Sequence, residues 1–236
     1  MLATTLRELS GLPELLPPVT DAELQRLESS LPCPIPDDVR AAMRLSRGFA
    51  GGPLESFSLV DLEGFGLEEA FPYAYSIAHD GFGNYWVLDL LPDTTVWGPV
   101  LYACHDPPVI AYQAATIEEF LRAVAARGPG GARSPVDAVH EDVVHRIWRE
   151  NPGLKSPSAL RDSADPLLRE LASTLSAEAF VADLRAPSLG DGFNWGRFGP
   201  RTVIHRAGTE RVWTLTPPER RPGFFARLFG GREGGA

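Results

Sequence analysis

Residues 84–90, 99–105 and 109–113 are three short runs rich in Tyr, Trp, Val and Leu, with only turn signals between them. Pro92-Asp93 breaks the chain after the first run, and Asp106-Pro107-Pro108 joins the second to the third. A parallel connection needs a crossover on the order of a dozen residues or more, normally a helix. Gaps this short leave antiparallel pairing as the way to satisfy the backbone. Two more runs stand upstream. Residues 56–62 alternate, with Phe57 and Leu59 on one side and Asp61 sharing their register. Residues 75–79 are β-like and lead into Asp80-Gly81-Phe82-Gly83, a turn signal. The pattern is that of a meandering antiparallel sheet.

Helical patterns flank this block. Thr20-Asp21-Ala22-Glu23 reads as a capping box, followed by Leu24, Leu27 and Leu31 at helical spacing. Pro32, Pro34 and Pro36 end that helix. A second helix is expected from Asp37, with Val39, Met43 and Leu45 near its inner face and Gly48 placed to stop it. Thr116-Ile117-Glu118-Glu119 reads as a second capping box, opening a helix with Ile117, Phe120, Leu121 and Val124 on one stripe. Gly128-Pro129-Gly130-Gly131 ends it. The expected organisation is a first unit over residues 1–128, a linker over 129–135, and a second unit over 136–236. In the second unit, residues 136–150 are amphipathic, through Val136, Val139, Val143, Val144, Ile147 and Trp148. Helices are expected over 158–174 and 176–184. A hairpin is expected from 202–206 and 211–215 around Ala207-Gly208-Thr209-Glu210. The fold class is α+β: a twisted antiparallel sheet with flanking helices, then a helical unit carrying a β-hairpin.

Charge is unevenly spread. Residues 1–130 hold 18 acidic and 7 basic side chains, whereas residues 131–236 hold 13 and 15. Between Arg47 and Arg122 there is no Lys or Arg, but there are eleven carboxylates. Such a block repels nucleic-acid phosphate and attracts basic partners. The candidate contact residues are Glu63, Glu68, Glu69, Asp80, Asp93, Trp97 and Asp106, acids with an aromatic anchor among them. Trp86, Tyr102 and Tyr112 sit in the same stretch, where the plainer reading makes them core aromatics. The basic tail over 222–236 interleaves arginines with Phe224, Phe225, Leu228 and Phe229. A terminal turn docked on its own domain, or a frayed and flexible tail, is the preferred reading there, ahead of an interfacial helix on anionic lipid.

Motifs for chemistry are missing from the sequence. His140 and His145 lie five apart, and an α-helix sets residues at that spacing about 140° out of register. A metalloprotease pair needs a spacing of four. Cys104 and His105 are strand neighbours and point to opposite faces, so they cannot pair as nucleophile and base. Gly81-Phe82-Gly83 runs into a strand, whereas a phosphate loop runs into a helix. No catalytic residue, cofactor or metal is therefore assigned. Two cysteines, Cys33 and Cys104, and the absence of a basic leader before a long apolar core point to a reducing cytoplasm.

Several of these residues recur in a known order. They are Leu31-Pro32 and Ile35-Pro36 before the second helix, and then Gly48. Next comes Ile77-Ala78-His79-Asp80-Gly81-Phe82-Gly83-Asn84, leading into Trp86-Val87-Leu88-Asp89. Gly98-Pro99-Val100 and Ala115-Thr116-Ile117-Glu118-Glu119-Phe120-Leu121 complete the set. Residues of about 20–125 thereby resemble the SUKH superfamily, which includes the Smi/Knr cell-wall regulators of fungi and many bacterial immunity proteins. The family usually has Ser-Phe where this chain has Thr116-Ile117, a change that keeps the cap and the buried apolar position.

The resemblance implies a non-catalytic protein-binding domain, and in bacteria a neutraliser of toxin effectors, many of them nucleases. It implies mainly structural roles for Gly48, Gly81, Gly83, Asn84, Asp89, Glu119 and Phe120. The expected partner is a basic protein, with no direct binding of nucleic acid. The alternative is an intracellular scaffold or regulator without a toxin partner.

Overall fold

The computed structural model describes residues 2–8, 14–51, 54–61, 64–92, 94–126 and 133–218. The chain opens with α1 (Leu2–Glu8), β1 (Glu14–Leu15), α2 (Asp21–Ser30) and α3 (Asp37–Met43). Thr20 and Glu23 close the capping box of α2: the Glu23 N–H donates to Thr20 Oγ1 at 3.3 Å and the Thr20 N–H to Glu23 Oε2 at 2.9 Å. The meander follows as β2 (Gly48–Ala50), β3 (Ser56–Ser58), β4 (Ala74–His79), β5 (Tyr85–Asp89), β6 (Val100–His105) and β7 (Pro108–Ala114). The closing helix is α4 (Ile117–Ala125), whose N-cap Thr116 accepts from the Glu119 N–H. The Glu119 carboxylate answers not at Thr116 but one residue earlier, on the Ala115 N–H at 2.9 Å.

Gly48 does not stop a helix. α3 ends at Met43, and Gly48 opens β2. A Cβ at Gly48 would stand 1.9 Å from the Phe57 carbonyl oxygen, so the requirement for glycine comes from close strand approach.

Beyond residue 132 come α5 (Pro135–Ala138), a π-helical turn (Val139–Val143) and α6 (Val144–Glu150). Val136, Val139, Val144 and Ile147 are buried. The step of five from Val139 to Val144 would carry an α-helix off its apolar face. The π turn absorbs the extra residue and keeps all four against the core. Next are β8 (Leu154–Lys155), α7 (Pro157–Leu160), α8 (Pro166–Thr174), β9 (Phe180–Asp183), β10 (Gly192–Asn194), β11 (Val203–Arg206) and β12 (Val212–Thr216). The single helix expected over 158–174 is split, and α8 starts at Pro166 with Asp165 capping the Leu168 N–H. The helix expected over 176–184 is absent: a turn at 176–179 leads into strand β9, which pairs with β12 and β8. Its burial has period two: Ala182 and Leu184 face one core, Val181 another. The expected hairpin is present as β11 and β12.

The described strands form two antiparallel sheets. The larger runs β1-β2-β3-β4-β5-β6-β7-β10, and the smaller β11-β12-β9-β8. Because the larger one is a meander, its connections alternate between its two ends. Both faces are covered. Trp86, Leu88, Val100, Tyr102, Cys104 and Val109 pack with apolar residues of α1 to α6. Val87, Leu101, Ala103 and Ile110 pack on the other side against Ala182, Leu184, Trp213 and Leu215 of the carboxy-terminal part. Strands buried on both faces read as continuous apolar runs, as β6 does.

The expected boundary at 129–135 does not separate two cores. β10 extends the larger sheet by pairing with β7, and residues 135–150 complete the first core. Asp89 ties the parts further. It is fully buried and receives Arg206 Nη1 at 2.7 Å, Arg206 Nη2 at 3.0 Å and Arg211 Nε at 2.8 Å.

Candidate interaction site at the 80–84 turn

With β4 to β7 covered on both faces, these strands are open to solvent only at their ends. The best-defined feature of this kind is the turn between β4 and β5. Asp80 builds it. Its Oδ1 accepts from the Phe82 N–H at 2.8 Å and the Asn84 N–H at 3.2 Å, and its Oδ2 accepts from Asn84 Nδ2 at 2.6 Å. The Gly81 N–H donates to His79 Nδ1 at 3.2 Å. Gly81 and Gly83 hold φ of +77° and +89°, a region that side chains with a Cβ rarely adopt. Asn84 is buried and its Oδ1 accepts from the His105 N–H at 3.0 Å, which staples the turn to the end of β6. His140, on the π turn, reaches across to Asp80 Oδ2 at 3.6 Å and sets its ring edge-on to Tyr102.

This scaffold projects Phe82, which is 81% exposed. Glu55 lies beside it, its Cγ 3.5 Å from where a Cβ on Gly81 would be. Asp106, in the turn between β6 and β7, is exposed at the same end of the sheet. Neither Glu55 nor Asp106 makes an ion pair with an arginine among the described residues.

The sequence-predicted contact residues are not one patch. Asp80 and Asp106 belong to the Phe82 end. Glu68 and Glu69 lie in the β3–β4 connection at the opposite end, exposed. The Glu68 carboxylate accepts from the Gly66 N–H at 2.9 Å, and such backbone bonds hold it below the usual range. Glu63 and Asp93 lie outside the described residues, as does the stretch over 222–236. Trp97 is no surface anchor. It is 2% exposed, packed in the first core, and its Nε1 donates to the Pro34 carbonyl. Asp89, one of the eleven acids of the basic-free window, is internal and neutralised by arginines from the carboxy-terminal part. Asp80 is spent on the turn itself. The acidic window is therefore divided by the meander into two ends and partly consumed inside the fold.

Of the residues tied to the sequence motif, Gly81, Gly83 and Asn84 form the turn, and Phe120 is fully buried in the first core. Cys104 is buried under the helices while His105 is exposed, so the two diverge as strand neighbours must. Burial raises both the Cys104 and the Cys33 thiols above their ordinary range. It also raises the Tyr102 phenol, whose oxygen has no hydrogen-bond partner. These are poor nucleophiles at neutral pH. Among the described residues, no group of three His, Cys, Asp or Glu is placed to hold a metal ion. No described helix is long and apolar enough to cross a membrane.

The exposure of Phe82 was open to sequence reasoning. An aromatic between two turn glycines sits past the last sheet pair, with nothing to pack against. The Asp89–Arg206–Arg211 cluster had no such signal.

The fold is a helix-covered antiparallel meander preceded by α2, capped by Thr20, and by α3. Residues 18–123 match the SMI1/KNR4 family (SUKH-1). This part of the chain is a SUKH domain. The match covers a little under half of the 236 residues; of the described residues beyond it, 135–150 complete the first core, and Ala182, Leu184, Trp213 and Leu215 cover the other face of β5 to β7. No curated protein and no solved structure matches the chain. SUKH domains serve as immunity-type or regulatory modules and are in general non-catalytic.

Proposed function

We propose that this SUKH protein is a non-catalytic binding module of the immunity type, which neutralises a basic effector by occupying its surface. The observation that carries the reading is the Phe82 end of the sheet. There, exposed Glu55 and Asp106 flank a displayed aromatic, within a stretch of 74 residues that holds no Lys or Arg. An enzyme that grips nucleic acid presents basic surface, and carboxylates without counter-ions steer such a surface to contact.

The test is affinity capture from the native host with the full chain, followed by co-expression of any basic protein recovered. The expected result is a complex that weakens as salt rises and a cell protected from the effector. Recovery of no basic protein, or recovery without protection, overturns the reading. A partner with no toxicity of its own would favour the scaffold or regulatory role instead.

A further inference from the structure

We infer that Phe82 is the anchor of the partner interface: it inserts into an apolar pocket, rimmed by lysines or arginines, on a basic protein. This rests on the protein-binding reading and deepens it by naming the contact.

Three observations carry the inference. First, strands β4 to β7 of the larger sheet are buried on both faces, by helices on one side and by the smaller sheet on the other. These central strands can themselves be reached only at their ends. Second, the turn presenting Phe82 is held far more tightly than a hairpin needs. Asp80 accepts three hydrogen bonds, His79 a fourth, and Asn84 ties the turn to β6. The cost of ordering an interface side chain falls when its backbone is already fixed, so a rigidly displayed aromatic is an efficient anchor. Third, the exposed carboxylates at this end are Glu55 and Asp106, with no described arginine paired to either; the exposed Arg197, which follows the Trp195 bond to the Pro108 carbonyl, gives its guanidinium to the Trp148 carbonyl at the end of α6. These carboxylates select a cationic rim on the occupant and disfavour an acidic one or anionic lipid.

Phe82 contributes nothing visible to the core, so its removal separates binding from folding. The probe is a displayed library of random peptides, selected against the full chain and then measured singly against Phe82→Ala and against the double variant Glu55→Gln/Asp106→Asn. The expected outcome is enrichment of sequences that place Lys or Arg around an apolar cleft-forming segment. These should bind Phe82→Ala about tenfold more weakly or worse, with an unchanged melting temperature. The charge variant should bind more weakly and with a flatter salt dependence. Enriched sequences that bind Phe82→Ala as well as the parent overturn the inference, as does enrichment of acidic sequences or of none. Basic sequences that ignore Phe82 leave the protein-binding reading standing. A failure of protection in the co-expression assay removes the immunity function without touching the peptide result.

Discussion

Replacing Asp89 with alanine removes the carboxylate that holds the carboxy-terminal hairpin against the SUKH domain. Three charge-assisted bonds at 2.7, 3.0 and 2.8 Å are lost at once. The consequence is set by what stays behind. The Arg206 side chain is 2% exposed and lies over the rings of Tyr73 and Trp213, so its charge cannot return to water without opening the interface. Arg211, at 21% exposure and donating to the Gly98 carbonyl, can be partly resolvated. Leaving one buried charge unpaired costs about 3–5 kcal/mol. Against a total stability of about 5–15 kcal/mol, that is a large fraction. Urea denaturation should show the midpoint falling in proportion, with the slope unchanged if unfolding stays two-state. Arg206→Met in the same background removes the stranded charge. The double variant should therefore be more stable than the sum of the single effects predicts, by about 1–3 kcal/mol. An Asp89→Ala cost below about 1 kcal/mol, or strict additivity in the double variant, would refute the reasoning.

The α2 capping box makes a pH prediction. Bonds from the Thr20 backbone and hydroxyl, and then from Arg47, hold the Glu23 carboxyl down at about 2. A depressed acid stabilises the fold above its unfolded pKa and loses that contribution as pH falls toward the folded value. The loss should thus run from about 4.5 down to about 2, and be missing in Glu23→Gln. An NMR titration of Glu23 with a midpoint near 4.5 would contradict it. Cys33 and Cys104 should stay silent to an aromatic disulfide reagent in the native protein and react together on unfolding; fast native labelling of either would contradict their burial. Gly48→Ala should destabilise by about 1–3 kcal/mol, read by thermal melting, since its methyl would strike the Phe57 carbonyl; an unchanged melt would show that β2 and β3 can part freely.

The local elements of this protein are written in local residues. The capping box at Thr20, the N-cap at Thr116, the proline run before α3, the short gaps between strands and the glycine pair at 81 and 83 act over a few residues. They therefore specify helices, turns and an antiparallel meander without help. The edges of that reading fail where a distant partner decides. Residues 176–184 carry helix-compatible Ala, Glu and Leu. Residues 180–183 of them become β9 because β12 and β8 supply backbone partners and two cores take alternate side chains. Gly48 reads as a helix stop until β3 comes within reach of it. Trp97 reads as a surface anchor until Pro34 and the first core enclose it. The count of acids was plain in the sequence, but their grouping was not. A meander sends successive connections to opposite ends, and Asp89 meets its arginines at sequence separations of 117 and 122. Charge in a sequence is a sum, whereas a binding surface depends on which charges remain facing water once the second layer has closed over the sheet.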